Sequence, residues 1–128
     1  LSFTGGRPVA PIAGAISPNL RSGQINNTTE ALGHGSVLAV DVRTGQKKWK
    51  FDMIDVTDAG ILTTASDVLF TGGREGYFHA LDARTGALLW KASVGGQVSA
   101  APVTYELDGK QYVAVAAGHA MFVYGLRE

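Results

Sequence analysis

Short apolar runs rich in β-branched and aromatic residues punctuate this chain, and none is long or periodic enough for a helix. VLAV precedes Asp41 and YFHAL leads into Asp82; KKWKF and ALLWKA follow the next glycines. Such runs, bounded by polar and glycine-bearing turns, read as strands. The pattern predicts strands over 36–41, 47–52, 61–65, 67–71, 76–82, 87–92, 98–105, 111–116 and 121–126. No window carries a 3.6-residue apolar stripe, so no helix is expected. Residues 1–35 differ. Gly5-Gly6, Pro8, Pro11, Gly14, Pro18, Gly23 and Asn26-Asn27 break them densely, which predicts an irregular, loop-rich segment ahead of the strands at 36–128.

The chain repeats itself. AVDVRTGQKKW at 39–49 returns as ALDARTGALLW at 80–90; Ala39, Asp41, Arg43, Thr44, Gly45 and Trp49 recur as Ala80, Asp82, Arg84, Thr85, Gly86 and Trp90. Each copy predicts a hairpin around the turn Asp-x-Arg-Thr-Gly. The Asp side chain can bond backbone N–H groups just ahead of it, and glycine accepts the left-handed backbone that ends the turn. The offset from Ala39 to Ala80 is 41 residues, and four short strands in about 40–45 residues is the signature of a propeller blade.

The fold class read here is therefore all-β: a partial β-propeller of about two to two and a half four-stranded antiparallel blades. With strands lettered A to D from the axis outward, one blade is complete, from 61 to 92. The preceding blade shows strands C and D, and the last shows A, B and C. That is too few blades for a ring, so the chain reads as the C-terminal piece of a longer propeller.

Composition narrows the function. Eleven Lys and Arg balance eleven Asp and Glu, which removes the basic footprint of a nucleic-acid binder. No apolar run reaches the roughly 18 residues of a membrane span. Cysteine is absent, which excludes disulfide frameworks, thiol catalysis and Cys-bound zinc. Among weaker patterns, Asp52, Asp55 and Asp58 recur every third residue but lack EF-hand spacing, so they read as an acidic connector. His34, His79 and His119 have no metal-ligand spacing, and His79 reads as a packed or edge residue of its strand. Gly72–Gly76 joins two strands rather than a strand and a helix, which argues against a phosphate loop.

Ala-x-Asp-x-x-Thr-Gly-x-x-x-Trp resembles the tryptophan-docking motif of the quinoprotein dehydrogenases, eight-bladed propellers that bind pyrroloquinoline quinone (PQQ). The resemblance continues through Gly60–Ala65, Leu69–Gly72, Gly76–Ala83, Ala101–Tyr105, Asp108–Ala114 and Phe122–Leu126. It implies a periplasmic, PQQ-dependent, alcohol dehydrogenase-like parent, with PQQ and calcium bound to the full-length protein. Trp49 and Trp90, on outermost strands, are then packing residues between blades and not cofactor contacts.

Loop sorting suggests which residues face the cofactor. In an antiparallel blade the A–B and C–D turns share one face, and the B–C and D–A loops share the other. The resemblance places the cofactor at the axis near that second face, which makes Asp58, Ala59, Gly60, Gly118 and His119 the candidate contacts. Asp58 and His119 stand where alcohol dehydrogenases of the family often carry tryptophans, which weakens stacking on a flat quinone. The family's calcium ligands and catalytic aspartate lie in earlier blades, so no catalytic or metal-binding residue is assigned here. The chain alone is expected to lack dehydrogenase activity. The competing expectation is a non-catalytic propeller scaffold that binds protein partners. The expected partners of the chain are the remaining blades of its parent or, if isolated, another copy of itself. Leu1–Thr4 is a candidate closing strand for the last blade.

Overall fold

The computed structural model describes residues 34–125. Nine strands follow one another without a helix among the described residues: β1 (Ser36–Val40), β2 (Lys47–Asp52), β3 (Leu62–Thr63), β4 (Val68–Gly72), β5 (Tyr77–Asp82), β6 (Leu88–Ser93), β7 (Val103–Leu107), β8 (Lys110–Ala117) and β9 (Ala120–Gly125). They form three antiparallel sheets in sequence order: β1-β2, β3-β4-β5-β6 and β7-β8-β9. These are the three blades, in the order expected.

The two repeat hairpins are built alike. Ala39 pairs with Trp49 and Ala80 with Trp90, and the register shifts immediately after each alanine. In the first turn Asp41 Oδ1 accepts the N–H groups of Arg43 (2.9 Å) and Thr44 (3.2 Å). In the second, Asp82 Oδ1 accepts those of Arg84 (2.8 Å) and Thr85 (3.3 Å). Gly45 and Gly86 close the turns at φ +71° and +75°, each donating 2.8 Å to the turn aspartate's carbonyl. Backbone donors, Arg43 first for Asp41 and Arg84 first for Asp82, hold both carboxyl groups below their ordinary range.

The apolar cores lie between blades. Val37 and Met53 of the first blade region meet Leu69 and Leu81 of the second, with Trp49, Phe51 and Ala83 at the margin. Phe78, Val94 and Val98 meet Val113, Val115 and Ala117 of the third, with Phe70, Phe122 and Tyr124 around them. The second blade is thus covered on both faces, which is why Phe78 through Leu81 are buried without alternation.

Trp49 crosses the first boundary. Its indole Nε1 donates to the Ala83 carbonyl at 3.0 Å, and its ring lies on Gly86, where a Cβ would stand 2.5 Å from Cε3. Gly86 therefore meets two demands: a left-handed backbone and a flat seat for the indole. Trp90, paired with Ala80 as Trp49 is with Ala39, packs edge-to-face with Tyr124 of the next blade (5.0 Å) and Phe78 of its own (6.3 Å). It is 41% exposed, whereas Trp49 is half-buried.

One strand starts later than expected. The run from 98 predicts strand, but pairing begins at Val103. Val98 is wholly buried, and its N–H bonds the Gly73 carbonyl of the loop before β5. Pro102 has no N–H to offer a ladder. The apolar character of 98–101 thus serves packing between blades. The expected closing segment Leu1–Thr4, and nearly all of the segment 1–35, lie outside the described residues. Gly35 is described, and it already exchanges bonds with the loop after β2, donating to Asp55 and accepting from Met53.

Candidate cofactor-facing site

The loops sort onto two faces as their antiparallel order requires. On one face the β3–β4 turn meets the β5–β6 turn: Ala83 N–H donates to Asp67 at 2.8 Å, and Arg84 lies 3.7 Å from the Asp67 carboxylate. On the other face each loop entering a blade is stitched to that blade's central loop. Arg74 N–H donates to Val56, and one repeat later Gly118 N–H donates to Gln97 at 2.9 Å. The acceptors Val56 and Gln97 are 41 residues apart and the donors Arg74 and Gly118 are 44 apart, so the same two loops are joined in both blades but not at one fixed offset.

The loop 54–60 is the better anchored of the two. Glu75 Oε2 accepts the N–H groups of Ile54 (2.8 Å) and Asp55 (3.3 Å). Thr57 Oγ1 donates to the Gly72 carbonyl at 2.7 Å and accepts from Ala59 N–H. Thr71 Oγ1 donates to the Gly60 carbonyl at 3.3 Å. Below these bonds Glu75 Oε1 lies 3.4 Å from His79 Nε2, with both side chains buried. Burial pushes the His79 imidazole below its ordinary pKa, against the opposing pull of Glu75.

This anchoring sets out the five candidate residues. Asp58 is exposed; its carboxylate takes a long bond from Gln97 Nε2 (3.5 Å) and faces Arg74 Nη2 at 3.7 Å. Gly118 is exposed at φ +57°, joined to the same Gln97 through its N–H, and His119 stands exposed beside it. Gln97 therefore brings Asp58 and Gly118 onto one patch of the second face. Ala59 and Gly60 also pack at the blade boundary: Ala59 lies against the second interblade core, and a Cβ on Gly60 would stand 2.4 Å from that of Ala101.

Arg74 and Gln97 are members of this patch that the sequence reading left out. The repeat held the signal for Gln97, one period beyond a loop residue already bonded to the neighbouring blade. Arg74 Nε is buried with no partner among the described residues, so its guanidinium is only partly engaged by Asp58. The acidic connector does not converge: Asp52 pairs with Lys50, Asp55 turns to Val56 N–H, and Asp58 faces Arg74. Among the described residues no three His, Asp or Glu side chains gather as a metal site would need.

Residues 33–124 match the PQQ_2 family model, described as outer membrane protein assembly factor BamB. The chain belongs to this family. A quinoprotein ethanol dehydrogenase of Pseudomonas putida is 40% identical over 85 residues, covering 66% of the chain. The crystal structure of quinohemoprotein alcohol dehydrogenase from Comamonas testosteroni superposes with a TM-score of 0.66 at 38% identity over 72% of the chain. BamB from Moraxella catarrhalis superposes over 72% of the chain with a TM-score of 0.56 at 28% identity, and 26% of that protein is covered. The chain spans only 14% of each of the two dehydrogenases. As a PQQ_2-family segment, it corresponds to a few blades of a much larger propeller protein.

Proposed function

We propose that this chain supplies blades to a quinoprotein dehydrogenase that oxidises an alcohol-type substrate with PQQ, and that the patch of Asp58, Gln97, Gly118 and His119 forms part of the cofactor-site wall. The observation that carries this reading is the convergence of Asp58 and Gly118 on Gln97, on the face where the loops entering each blade gather. The identity to alcohol-oxidising quinoproteins supports it.

The residues present fit the edge of a flat, electron-poor group better than its faces. Gln97 and the partly engaged Arg74 supply N–H donors, Gly118 adds no bulk, and no tryptophan stands at position 58 or 119. PQQ, when bound, would supply the two-electron acceptor for alcohol oxidation, with a calcium-type ion as the Lewis acid. The chain's own residues hold the wall: Asp58 orients the Gln97 amide and Arg74, and the bonds from Thr57, Thr71 and Glu75 fix the loop that carries Asp58. The proton-accepting carboxylate and the metal ligands come from other blades, so the chain alone turns over no substrate. A periplasmic location accompanies this reading; no helix among the described residues is long and apolar enough to cross a membrane.

A second reading is a propeller scaffold that has given up the cofactor and binds protein partners. The likeness to BamB and the exposed Asp58 and His119 favour it. Reconstitution of the full-length protein with PQQ and calcium separates the two. Dye reduction that depends on an added alcohol supports the dehydrogenase. A folded protein that neither changes the absorbance of PQQ nor reduces dye overturns it in favour of the scaffold.

A further inference from the structure

Glu75 and His79 are the most deeply buried ionisable pair among the described residues, with side chains 7% and 5% exposed. Neither belongs to the patch itself. They sit beneath it, between the second blade and the loop 54–60 that arrives from the first. One carboxylate oxygen of Glu75 is committed to the Ile54 and Asp55 N–H groups, and the other faces His79. The imidazole is closed in by Phe51 of β2, edge-on at 5.4 Å, and by Tyr77 of its own strand at 6.2 Å.

We propose that Glu75 and His79 form a proton-sensitive latch that holds the 54–60 loop, and with it Asp58, against the second blade. Because Nε2 faces a carboxylate, Nε2 carries the hydrogen of the neutral ring. Nδ1 is buried and has no partner among the described residues. For a neutral ring this leaves one unused acceptor. A second proton on Nδ1 would make it a buried donor with nothing to receive its hydrogen, which is costly. Protonation of His79 is therefore easier when the loop lifts and water enters. The Glu75 carboxylate strengthens the bonds to Ile54 and Asp55, so those two bonds report on whether the latch is closed. Acid therefore opens the latch through His79.

Among the described residues this pair has no other charge partner in contact. Across β5, His79 is paired with Thr71 of β4 and Lys91 of β6. The Lys91 ammonium lies over the Tyr77 ring at 4.7 Å and further disfavours an imidazolium. On β2, Lys50 and Asp52 flank Phe51, project to the opposite face by alternation, and pair with each other. The Asp55 carboxylate is turned to Val56 N–H.

The latch stands on this geometry; only its consequence for the cofactor rests on the function proposed above. Amide hydrogen exchange of the full-length protein without PQQ tests it, with rates corrected for the intrinsic effect of pH. The Ile54 and Asp55 amides should be protected at pH 7.5 and lose about tenfold of that protection by pH 5.5, the size of one charge-assisted bond. Glu75→Gln should bring the tenfold loss at pH 7.5 already. His79→Gln keeps a donor toward Glu75 but does not titrate, so protection should stay high and flat across that range. The ladder amides of β4 and β5 should not change in any of these. Three results would each overturn the latch: indifference of Ile54 and Asp55 to Glu75→Gln, an undiminished pH dependence in His79→Gln, or parallel loss at the ladder amides. A protein with the expected exchange pattern that binds no PQQ keeps the latch and loses the proposed function. A protein that binds PQQ without that pattern keeps the function and loses the latch.

Discussion

Gly60 lies against Ala101, the residue one 41-residue period further along the chain, so closely that a Cβ on Gly60 would stand 2.4 Å from the Ala101 Cβ and 2.8 Å from its Cα. Equivalent positions of successive blades thus meet directly where the chain enters each blade. Small residues there set how tightly the blades wedge together.

Gly60→Ala is expected to destabilise the protein by about 1–3 kcal/mol, the usual cost of forcing extra volume into a packed contact. The obstacle includes Ala101 backbone, so rotamer changes cannot relieve it. Gly109→Ala should also destabilise, for a different reason: Gly109 has open space around it but sits at φ +74° in the Asp-Gly turn between β7 and β8. Denaturant unfolding of both variants checks the pair. Relief of the Gly60→Ala cost by Ala101→Gly should occur, while Gly109→Ala should be indifferent to it.

Trp49→Phe removes a hydrogen bond to Ala83 and part of a flat contact with Gly86, and should cost about 1–2 kcal/mol in the same assay. Trp90→Phe should cost less, because Trp90 is more exposed and its described contacts are aromatic edges that phenylalanine can keep. Equal costs would show that the indole N–H of Trp49 adds nothing.

Much of this was legible in the sequence, and the reason is the repeat. One period indicates two hairpins and their turn chemistry, since those depend only on local pattern, whereas the register that pairs Ala39 with Trp49 and Ala80 with Trp90 came from the structure. The start of β7 was not legible: the apolar run 98–101 looks the same whether it pairs or fills a core, and only the neighbouring Gly73 carbonyl decides. Glu75 and His79 were legible only as loop and strand residues. Their pairing depends on how a loop from one blade settles on the next, which strand periodicity does not encode. Of the five candidate contacts, Asp58 and Gly118 converge on Gln97 and His119 stands beside them. Ala59 and Gly60 pack at the blade boundary, as small residues readily do.

Acid should weaken the fold in two separate steps. His79 has a lowered pKa in the folded state, so the unfolded chain binds the extra proton first. Stability is then highest above about 6.5, the ordinary value, and falls as pH drops from there toward the lowered one. Asp41 and Asp82 also have lowered values, from an ordinary 3.8, and their contribution is present above that and lost as pH falls through the folded values. Thermal unfolding across pH 3–8 should show the upper step disappear in His79→Gln and the lower one shrink in Asp82→Asn.

The isolated 128-residue chain should self-associate. Among the described residues β9 is paired on one side only, by β8, and carries exposed Met121 and Val123. Unpaired apolar edges seek partner strands. Sedimentation at several concentrations should show a mass above that of one chain, and a strictly monomeric particle would contradict this.

The second face, at Asp58, Gln97 and Gly118, is proposed to border a bound quinone. Titration of the full-length protein with PQQ in the presence of calcium, followed by protein fluorescence, tests it most directly. Saturable binding is expected, weakened about tenfold or more by Arg74→Ala, the loss of one charged donor, and strengthened by Asp58→Trp through added stacking. Saturable binding that is indifferent to substitutions at 58, 74 and 97, or no binding by a folded protein, would contradict the claim.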